Sequence, residues 1–145
     1  MIGGYGSNTH QVLEMTEENG LSWSCKAELP ANRYSAASVV HEGKVCVIGG
    51  AVNGGPSTAM LTYDADADAW GTAPPLPMPC SGCRATTIEG RILLFGIGMG
   101  IGGIPHILPQ RVNGGRFLQY ANSAWSQVAE APVTLGFCCG AVLLG

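Results

Sequence analysis

Two stretches of this chain have the same order of apolar and polar positions. Residues 39–50 read Val-Val-His-Glu-Gly-Lys-Val-Cys-Val-Ile-Gly-Gly, and residues 86–97 read Thr-Thr-Ile-Glu-Gly-Arg-Ile-Leu-Leu-Phe-Gly-Ile. In each stretch, two β-rich runs flank a two-residue turn that contains glycine, the residue that most readily adopts the positive φ of tight hairpins. The pattern predicts two β-hairpins, which turn at Glu42-Gly43 and at Glu89-Gly90.

A second pair of strands follows each hairpin. After the first hairpin, a loop leads to a short apolar strand at 60–63, a polar turn at 64–69 and a strand that starts near Trp70. One unit therefore contains four antiparallel strands. Because a twisted four-stranded sheet with two apolar faces must stack against neighbours, we predict an all-β protein built of stacked sheets.

A tryptophan followed seven residues later by a proline marks this unit three times, at Trp23/Pro30, Trp70/Pro77 and Trp125/Pro132. Aromatic residues at repeated positions usually supply core area, so we expect the tryptophans to pack between sheets rather than to bind a ligand. The repeat predicts the end of one unit at 1–29, complete units at 30–76 and 77–131, and the inner strand of a further unit at 132–145.

The recurring residues resemble the kelch repeat, in which a strand ending in Gly-Gly is followed by Tyr-Asp, then Trp, then a Pro before the next unit. The second unit matches this pattern with Gly49-Gly50, Tyr63-Asp64, Trp70 and Pro77. The first unit has Met15-Thr16 in place of Tyr-Asp, and the third has Tyr120-Ala121. The resemblance implies an incomplete kelch-type β-propeller, with two full blades and partial blades at both ends. Propellers close with four to eight blades, so we expect further blades or a second copy to be needed for closure.

Composition narrows the possible partners. The 145 residues are 46% apolar and 12% charged, with 22 glycines and a net charge of −3. Nucleic-acid binders gather Lys and Arg on one face, and the chain has only 7 such residues, so we expect no nucleic-acid partner. No apolar run reaches the roughly 20 residues of a membrane helix, and no signal peptide is recognisable at the start. These features favour a cytoplasmic protein with no membrane partner and with its six cysteines reduced.

The loop at 98–115 is the outlier among the repeats. It is an insertion of eight residues relative to the second unit. In the kelch arrangement, loops of this type share a face with the segments that lead into the next blade. Because long loops on a rigid scaffold are preferred recognition elements, His106, Gln110 and Arg111 are candidate binding residues. The alternative is a flexible insertion without a function.

Arg33 and Tyr34, just before the inner strand of the first complete unit, are the other candidates. The resemblance implies the role of Arg33, since kelch domains of ubiquitin-ligase adaptors often present an arginine at this position to an acidic peptide. Cys80 and Leu135 stand at the corresponding positions of the later units, so a ring of arginines is absent. A solvated Arg33 without a ligand is the simpler expectation.

Two groups of cysteines have a spacing that zinc sites use. Cys80-x-x-Cys83 and Cys138-Cys139 could in principle supply thiolate pairs. However, Cys83 and Cys138 occupy the same repeat position as Ala36, which is a place for a small residue on the inner strand. We therefore predict no zinc site and no cofactor.

Two other groups of residues suggest metals only superficially. His10 and His106 lie on one predicted face, but the tyrosines and the cysteine of galactose-oxidase-like copper enzymes cannot be matched in this chain. Asp64, Asp66 and Asp68 alternate as calcium ligands do, without the glutamate of an EF-hand loop. We predict a solvated turn at these aspartates, and we expect His41, beside a hairpin turn, to be a surface residue.

These observations favour a non-enzymatic module that binds a protein or peptide, with no catalytic residue in this chain. A substrate adaptor of a ubiquitin ligase or a scaffold protein is the implied setting. One alternative is a fragment of a kelch-type propeller enzyme, such as a copper oxidase or a sugar epimerase, whose catalytic residues lie largely elsewhere. Another is a structural set of blades in a larger assembly.

Overall fold

The computed structural model describes residues 2–4, 11–17, 20–97 and 116–130, and these residues form strands and no helix. The predicted loop at 98–115 and the predicted strand at 132–145 lie outside them. No described segment is a helix long and apolar enough to cross a membrane. The described strands are β1 (Val12–Thr16), β2 (Ser22–Lys26), β3 (Ala37–His41), β4 (Lys44–Ile48), β5 (Ala51–Val52), β6 (Gly55–Pro56), β7 (Met60–Asp64), β8 (Ala69–Ala73), β9 (Arg84–Ile88), β10 (Arg91–Ile97), β11 (Arg116–Ala121) and β12 (Ala124–Glu130).

The strands pair into three sheets that follow the repeat. The first sheet is the hairpin β1-β2, the second has the order β3-β4-β7-β8, and the third has the order β9-β10-β11-β12. Each pairing within them is antiparallel. The short ribbon β5-β6 lies in the loop between β4 and β7. The predicted all-β architecture of four-stranded antiparallel sheets in an incomplete propeller is confirmed.

Both predicted hairpin turns are present. Glu42 and Gly43 have φ values of 50° and 75°, and Glu89 and Gly90 have 47° and 72°. Positive φ at both central residues is the geometry of a type I′ turn, whose twist matches that of the flanking strands.

Strand β4 is buried on both of its faces. Val47 packs with Val12 and Leu29, which places one face of the second sheet against the first. Cys46 and Ile48 belong instead to a cluster that includes Leu94 and Leu118 of the third sheet. Successive side chains of a strand point to opposite faces, so the uninterrupted apolar run of β4 serves two neighbouring sheets. The core of this protein therefore lies between its sheets.

Trp70 and Trp125 each join their own sheet to the preceding sheet. The Trp70 indole Nε1 donates a hydrogen bond to the Ala27 carbonyl oxygen at 2.9 Å. Trp125 Nε1 donates in the same way to the Pro74 carbonyl oxygen at 3.1 Å. Both acceptors stand four residues after the tryptophan of the preceding sheet. The packing role predicted for Trp70 and Trp125 is confirmed.

The expectation that His41 is a surface residue is wrong. Its side chain is buried, and its ring meets that of Tyr120 edge-on, with centroids 5.8 Å apart. The neighbouring inner strand β9 also reaches β3, where the Thr87 hydroxyl donates to the Val40 carbonyl oxygen at 2.9 Å. His41 is covered because the third sheet packs against the end of β3.

Candidate binding cleft at a sheet junction

Gly49 and Gly50 lie where the backbone of the second sheet meets two other segments. The Gly49 N–H donates to the Ala59 carbonyl at 2.9 Å, and the Gly50 N–H donates to the Cys80 carbonyl at 2.8 Å. Their φ values are 64° and 83°. A Cβ on Gly49 would lie 2.5 Å from the Cys80 carbonyl oxygen, and one on Gly50 would lie 2.8 Å from that of Tyr34. Both the positive φ and the close approach of neighbouring backbone atoms therefore require glycine at these two positions.

The same junction occurs in the first sheet. The Gly3 N–H donates to the Gln11 carbonyl at 3.0 Å, and the Gly4 N–H donates to the Arg33 carbonyl at 3.2 Å. Gly4 therefore bonds Arg33 as Gly50 bonds Cys80, so Arg33 and Cys80 occupy equivalent places in successive units. This agrees with the repeat alignment.

The side chain of Arg33 is buried, so the expectation of a solvated arginine is wrong. It is 5% exposed, and its Nη1 donates to the Gly49 carbonyl oxygen. Its Nε has no hydrogen-bond partner. No described carboxylate lies within ion-pair distance of it. Burial lowers the pKa of the guanidinium, although an arginine remains charged at neutral pH.

Arg33 forms part of the wall of an open cleft of about 290 Å³ between the first and second sheets. Tyr34, the second candidate of this segment, also lines the cleft and exchanges two backbone hydrogen bonds with Ala51, at 3.2 and 2.7 Å. We call this space the Arg33 cleft, and its lining residues are Ile2, Gly4, Leu29, Arg33, Tyr34, Ser35, Ala36, Ser38 and Val47. Backbone pairing thus holds two predicted binding residues beside one cavity.

Asp68 helps to join the second sheet to the first. Its Oδ1 accepts hydrogen bonds from the Tyr63 hydroxyl at 2.5 Å and from the Ala27 N–H at 2.8 Å. Ala27 is therefore held at its N–H by Asp68 and at its carbonyl by Trp70. Between the second and third sheets, Pro74 takes the place of Ala27 and Ser123 takes the place of Asp68. Proline has no N–H, so the second hydrogen bond of the Ala27 contact cannot form there.

These contacts shift two pKa values. The hydrogen bonds from Tyr63 and from the Ala27 N–H lower the pKa of Asp68. Burial, together with the bond to Asp68, raises the pKa of Tyr63 to about 12. The structure therefore favours an ionised Asp68 and a neutral Tyr63.

We expect stability to fall at both extremes of pH. The lowered pKa of Asp68 stabilises the fold above its unfolded value of about 3.9, and this contribution is lost as the pH drops through the folded pKa. The raised pKa of Tyr63 stabilises the fold below about pH 10, and this is lost as the pH rises towards about 12. Urea midpoints measured between pH 8 and pH 12 on wild type and Tyr63→Phe test the alkaline arm. An equal alkaline decline in both proteins would contradict it.

The turn before Asp68 behaves as predicted. The Asp64 Oδ1 accepts the N–H groups of Asp66 and Ala67, each at 3.1 Å, and Lys44 Nζ lies 3.1 Å from its Oδ2. Local hydrogen bonds thus occupy the carboxylate of Asp64. Among the described residues, no group of three or more His, Cys, Asp or Glu side chains could hold a metal ion.

The reduced thiols expected from the sequence stay a prediction. The sulfur atoms of Cys80 and Cys83 lie in contact, with Cα atoms 6.2 Å apart, a separation that a disulfide could bridge. Both are buried in the core between the second and third sheets, where the segment leading into β9 turns back on itself. Cys25 and Cys46 are free. Burial raises the pKa of the Cys46 thiol.

Several predicted residues lie outside the described part of the chain. They are His10, His106, Gln110, Arg111, Leu135, Cys138 and Cys139. Of the five candidate binding residues, the structure therefore places Arg33 and Tyr34, and it brings these two to one cleft.

The sequence did not predict the roles of three residues, two in the cleft and one in the contact between the first and second sheets. Ser35 and Ser38 line the cleft, and Asp68 links the second sheet to Ala27 of the first. The position of Ser38 could have been inferred, because it alternates with buried Ala37 on an inner strand. Ser35, with φ of 54°, gives no such signal in the sequence.

Comparisons with known proteins agree with this architecture. No family model matches the sequence. The chain is 28% identical over 116 residues to the Kelch-like protein 33 of Homo sapiens, covering 77% of this chain and 22% of that protein. It is 28% identical over 99 residues to the Kelch-like protein 35 of Mus musculus, covering 66% of this chain and 16% of that protein. The chain thus spans about a fifth of the length of these relatives.

A likeness to a solved structure supports the fold independently. The structure of YjhT matches with a TM-score of 0.65 at 15% sequence identity, covering 85% of this chain and 45% of that one. At this identity, the match concerns the arrangement of the strands alone.

Proposed function

Because the chain is a segment of a kelch-repeat β-propeller, we propose that it is a non-enzymatic interaction module that binds an acidic segment of a protein at the Arg33 cleft. The observation that carries the proposal is the buried guanidinium of Arg33 in the wall of an open cavity, without a described carboxylate partner.

The physical argument rests on the cost of an unpaired buried charge. A buried cation normally has an anion or a full set of hydrogen bonds, because it has lost its hydration. Arg33 has its Nη1 on the Gly49 carbonyl, while its Nε has no acceptor. A carboxylate in the cleft would supply the missing negative charge in a region where water screens it poorly.

The remaining lining suits a short part of an extended chain. Ser35 and Ser38 offer hydroxyl groups, and Ala36 offers apolar surface above the buried side chains of Leu29 and Val47. A volume of about 290 Å³ is near the lower limit for ligand pockets, which fits one or two side chains rather than a large cofactor. Specificity for an acidic side chain would come from Arg33.

Three finer parts of this function are also proposals. The Kelch-like relatives support a protein partner, and a role as the substrate adaptor of a ubiquitin ligase would be one use of such a site. A cytoplasmic location would agree with that use. His106, Gln110 and Arg111 would extend the binding surface from the long loop.

Two peptide libraries of the same design test the proposal, one with paired glutamates at its centre and one with glutamines. We expect the chain to bind the glutamate library at least ~10-fold more tightly in fluorescence anisotropy at low salt, which is about 1.4 kcal/mol. Arg33→Met should abolish this preference. The matched control is Arg91→Met, because Arg91 is exposed and already paired with Glu89 at 2.6 Å.

A second variant tests the cleft without changing the charge. Ser38→Trp should fill the cavity and weaken binding of both libraries, whereas Thr72→Trp, on the exposed strand β8, should leave binding unchanged. Thermal melts establish that each variant is folded. Equal binding of the two libraries, or a preference that survives in Arg33→Met, would contradict the role of Arg33.

A further inference from the structure

Two buried cysteines lie outside the Arg33 cleft, in the turn that leads into β9. Cys80 and Cys83 are 3% and 1% exposed, and both side chains belong to the core between the second and third sheets. Gly82, with a φ of 77°, reverses the chain between them. Their Cα atoms are 6.2 Å apart, within the ~4.4–6.8 Å that disulfide bonds span. The two thiols are therefore within bonding reach of each other.

Backbone hydrogen bonds hold this turn in place. The Cys80 N–H donates to the Ser57 carbonyl at 3.0 Å, and the Cys80 carbonyl accepts from the Gly50 N–H at 2.8 Å. The Gly82 N–H donates at 2.8 Å to the carbonyl of Ser35, a lining residue of the Arg33 cleft. Since the fold already holds the two cysteines together, forming a bond between them requires little further ordering.

Packing alone does not explain two cysteines in this turn. The preceding unit has Arg33 at the position of Cys80 and Ala36 at the position of Cys83, so the repeat requires no thiol at either place. Among the described residues, no group of three or more His, Cys, Asp or Glu side chains could hold a metal ion. The chemistry that a pair of adjacent thiols offers is oxidation to a disulfide.

We propose that Cys80 and Cys83 are a redox modification site, which oxidised glutathione or a similar small disulfide closes to a disulfide bond. One thiolate attacks oxidised glutathione and releases one glutathione thiolate, and the second thiolate then displaces the other glutathione from the mixed disulfide. The protein loses two electrons and two protons, which reappear in two molecules of reduced glutathione. This proposal is independent of what the Arg33 cleft binds.

The burial of the pair determines when this exchange occurs. A buried thiol reacts only when its surroundings open, so the exchange requires brief opening of the turn. After closure, the same burial protects the disulfide from reducing thiols. The bond then restrains the turn whose Gly82 N–H holds the Ser35 segment of the cleft.

Alkylation followed by mass spectrometry tests the site. Wild type is incubated with reduced or oxidised glutathione, denatured, treated with iodoacetamide and digested with trypsin, which releases residues 45–84 as one peptide containing Cys46, Cys80 and Cys83. We expect three alkylated cysteines after reduced glutathione, and one alkylated cysteine without bound glutathione after oxidised glutathione. The matched control Cys46→Ala lacks the free thiol of this peptide and should change from two alkylated cysteines to none. Three alkylated cysteines under both conditions, or a peptide that carries glutathione, would overturn the proposal.

Thermal melts test whether the folded state favours the bond. Oxidised wild type should melt at least ~4 °C above the reduced protein, because a disulfide that fits the fold stabilises it. Cys83→Ala, which introduces the residue of the preceding unit, should melt at one temperature under both conditions, and Cys46→Ala should keep the wild-type difference. The same shift in wild type and in Cys83→Ala would assign it to other cysteines and would contradict the proposal.

Amide hydrogen exchange tests the restraint on the turn. The Gly82 N–H should exchange at least ~10-fold more slowly in the oxidised protein, since the bond suppresses local opening. The Gly43 N–H, in the hairpin turn between β3 and β4, is the internal control and should exchange equally in both states. Equal exchange of Gly82 in the two states would mean that the bond does not restrain the turn.

Discussion

Gly50→Ala is expected to lower the free energy of unfolding by about 3 kcal/mol or more. The φ of 83° costs an alanine about 1 kcal/mol. Its Cβ would also lie 2.8 Å from both the Tyr34 carbonyl oxygen and the Ala36 Cβ, so the backbone of the segment leading into β3 would have to move. Overpacking of this kind costs a further ~1–3 kcal/mol. Urea denaturation followed by circular dichroism measures the change.

Gly54→Ala separates the two causes. Gly54 has nearly the same φ, 81°, but an added Cβ there would meet nothing within 4 Å. We expect this control to lose only the conformational part, about 1 kcal/mol. If Gly50→Ala were no more destabilising than Gly54→Ala, the close approach of Gly50 to the Tyr34–Ala36 backbone would not limit the residue at this position.

Trp70→Ala is expected to destabilise the fold by about 3 kcal/mol. The substitution removes a ring that packs against the core between the first and second sheets, and with it the hydrogen bond to the Ala27 carbonyl. Tryptophan-to-alanine changes in protein cores cost about 3–5 kcal/mol, and the partial exposure of Trp70 favours the lower end. The same urea experiment applies, with the slope of the transition monitored for loss of two-state behaviour.

Trp23→Ala provides the comparison at the same register position. We expect a cost below about 1 kcal/mol, because the ring is 58% exposed. Equal losses in Trp23→Ala and Trp70→Ala would contradict the different packing of the two rings.

The glycines that recur in the repeat also position the arginine of the candidate site. The Gly49 carbonyl accepts from Arg33, and the Gly4 N–H bonds the Arg33 carbonyl, so the glycine pairs that end the second strands also position the arginine of the cleft. A change at these glycines should therefore affect binding as well as stability. The exposed side chains of Met15 and Trp23, by contrast, lie on the opposite side of the first sheet from the core that the Arg33 cleft borders.

Much of the fold could be predicted because its determinants are local. The Glu-Gly turns, the alternation of side chains and the recurring tryptophan act over a few residues, so the printed order of residues already contains them. The apolar run of β4 is an example, since a strand with two apolar faces must lie between two sheets. The register that equates Arg33 with Cys80 followed from the repeat alone.

The site depended on contacts between residues far apart in the chain. The sequence favoured a solvated Arg33, because Cys80 and Leu135 stand at its position in the later units, yet its side chain is buried and its Nη1 donates to the Gly49 carbonyl. The sequence likewise suggested an exposed His41 beside its turn, but the ring of Tyr120 covers it. Neither burial has a local signal, because Gly49 lies beyond the β3-β4 hairpin and Tyr120 belongs to the third sheet.

By itself, the sequence determined the kind of unit, its four strands and its tendency to stack, since turn chemistry and hydrophobic alternation specify a sheet through neighbouring residues. Only the tertiary structure decided which tryptophans are covered, that Arg33 lies in the wall of a cavity, and that Trp23 remains open. Burial is a property of the surfaces that meet, and the surface meeting each of these side chains comes from a distant part of the chain.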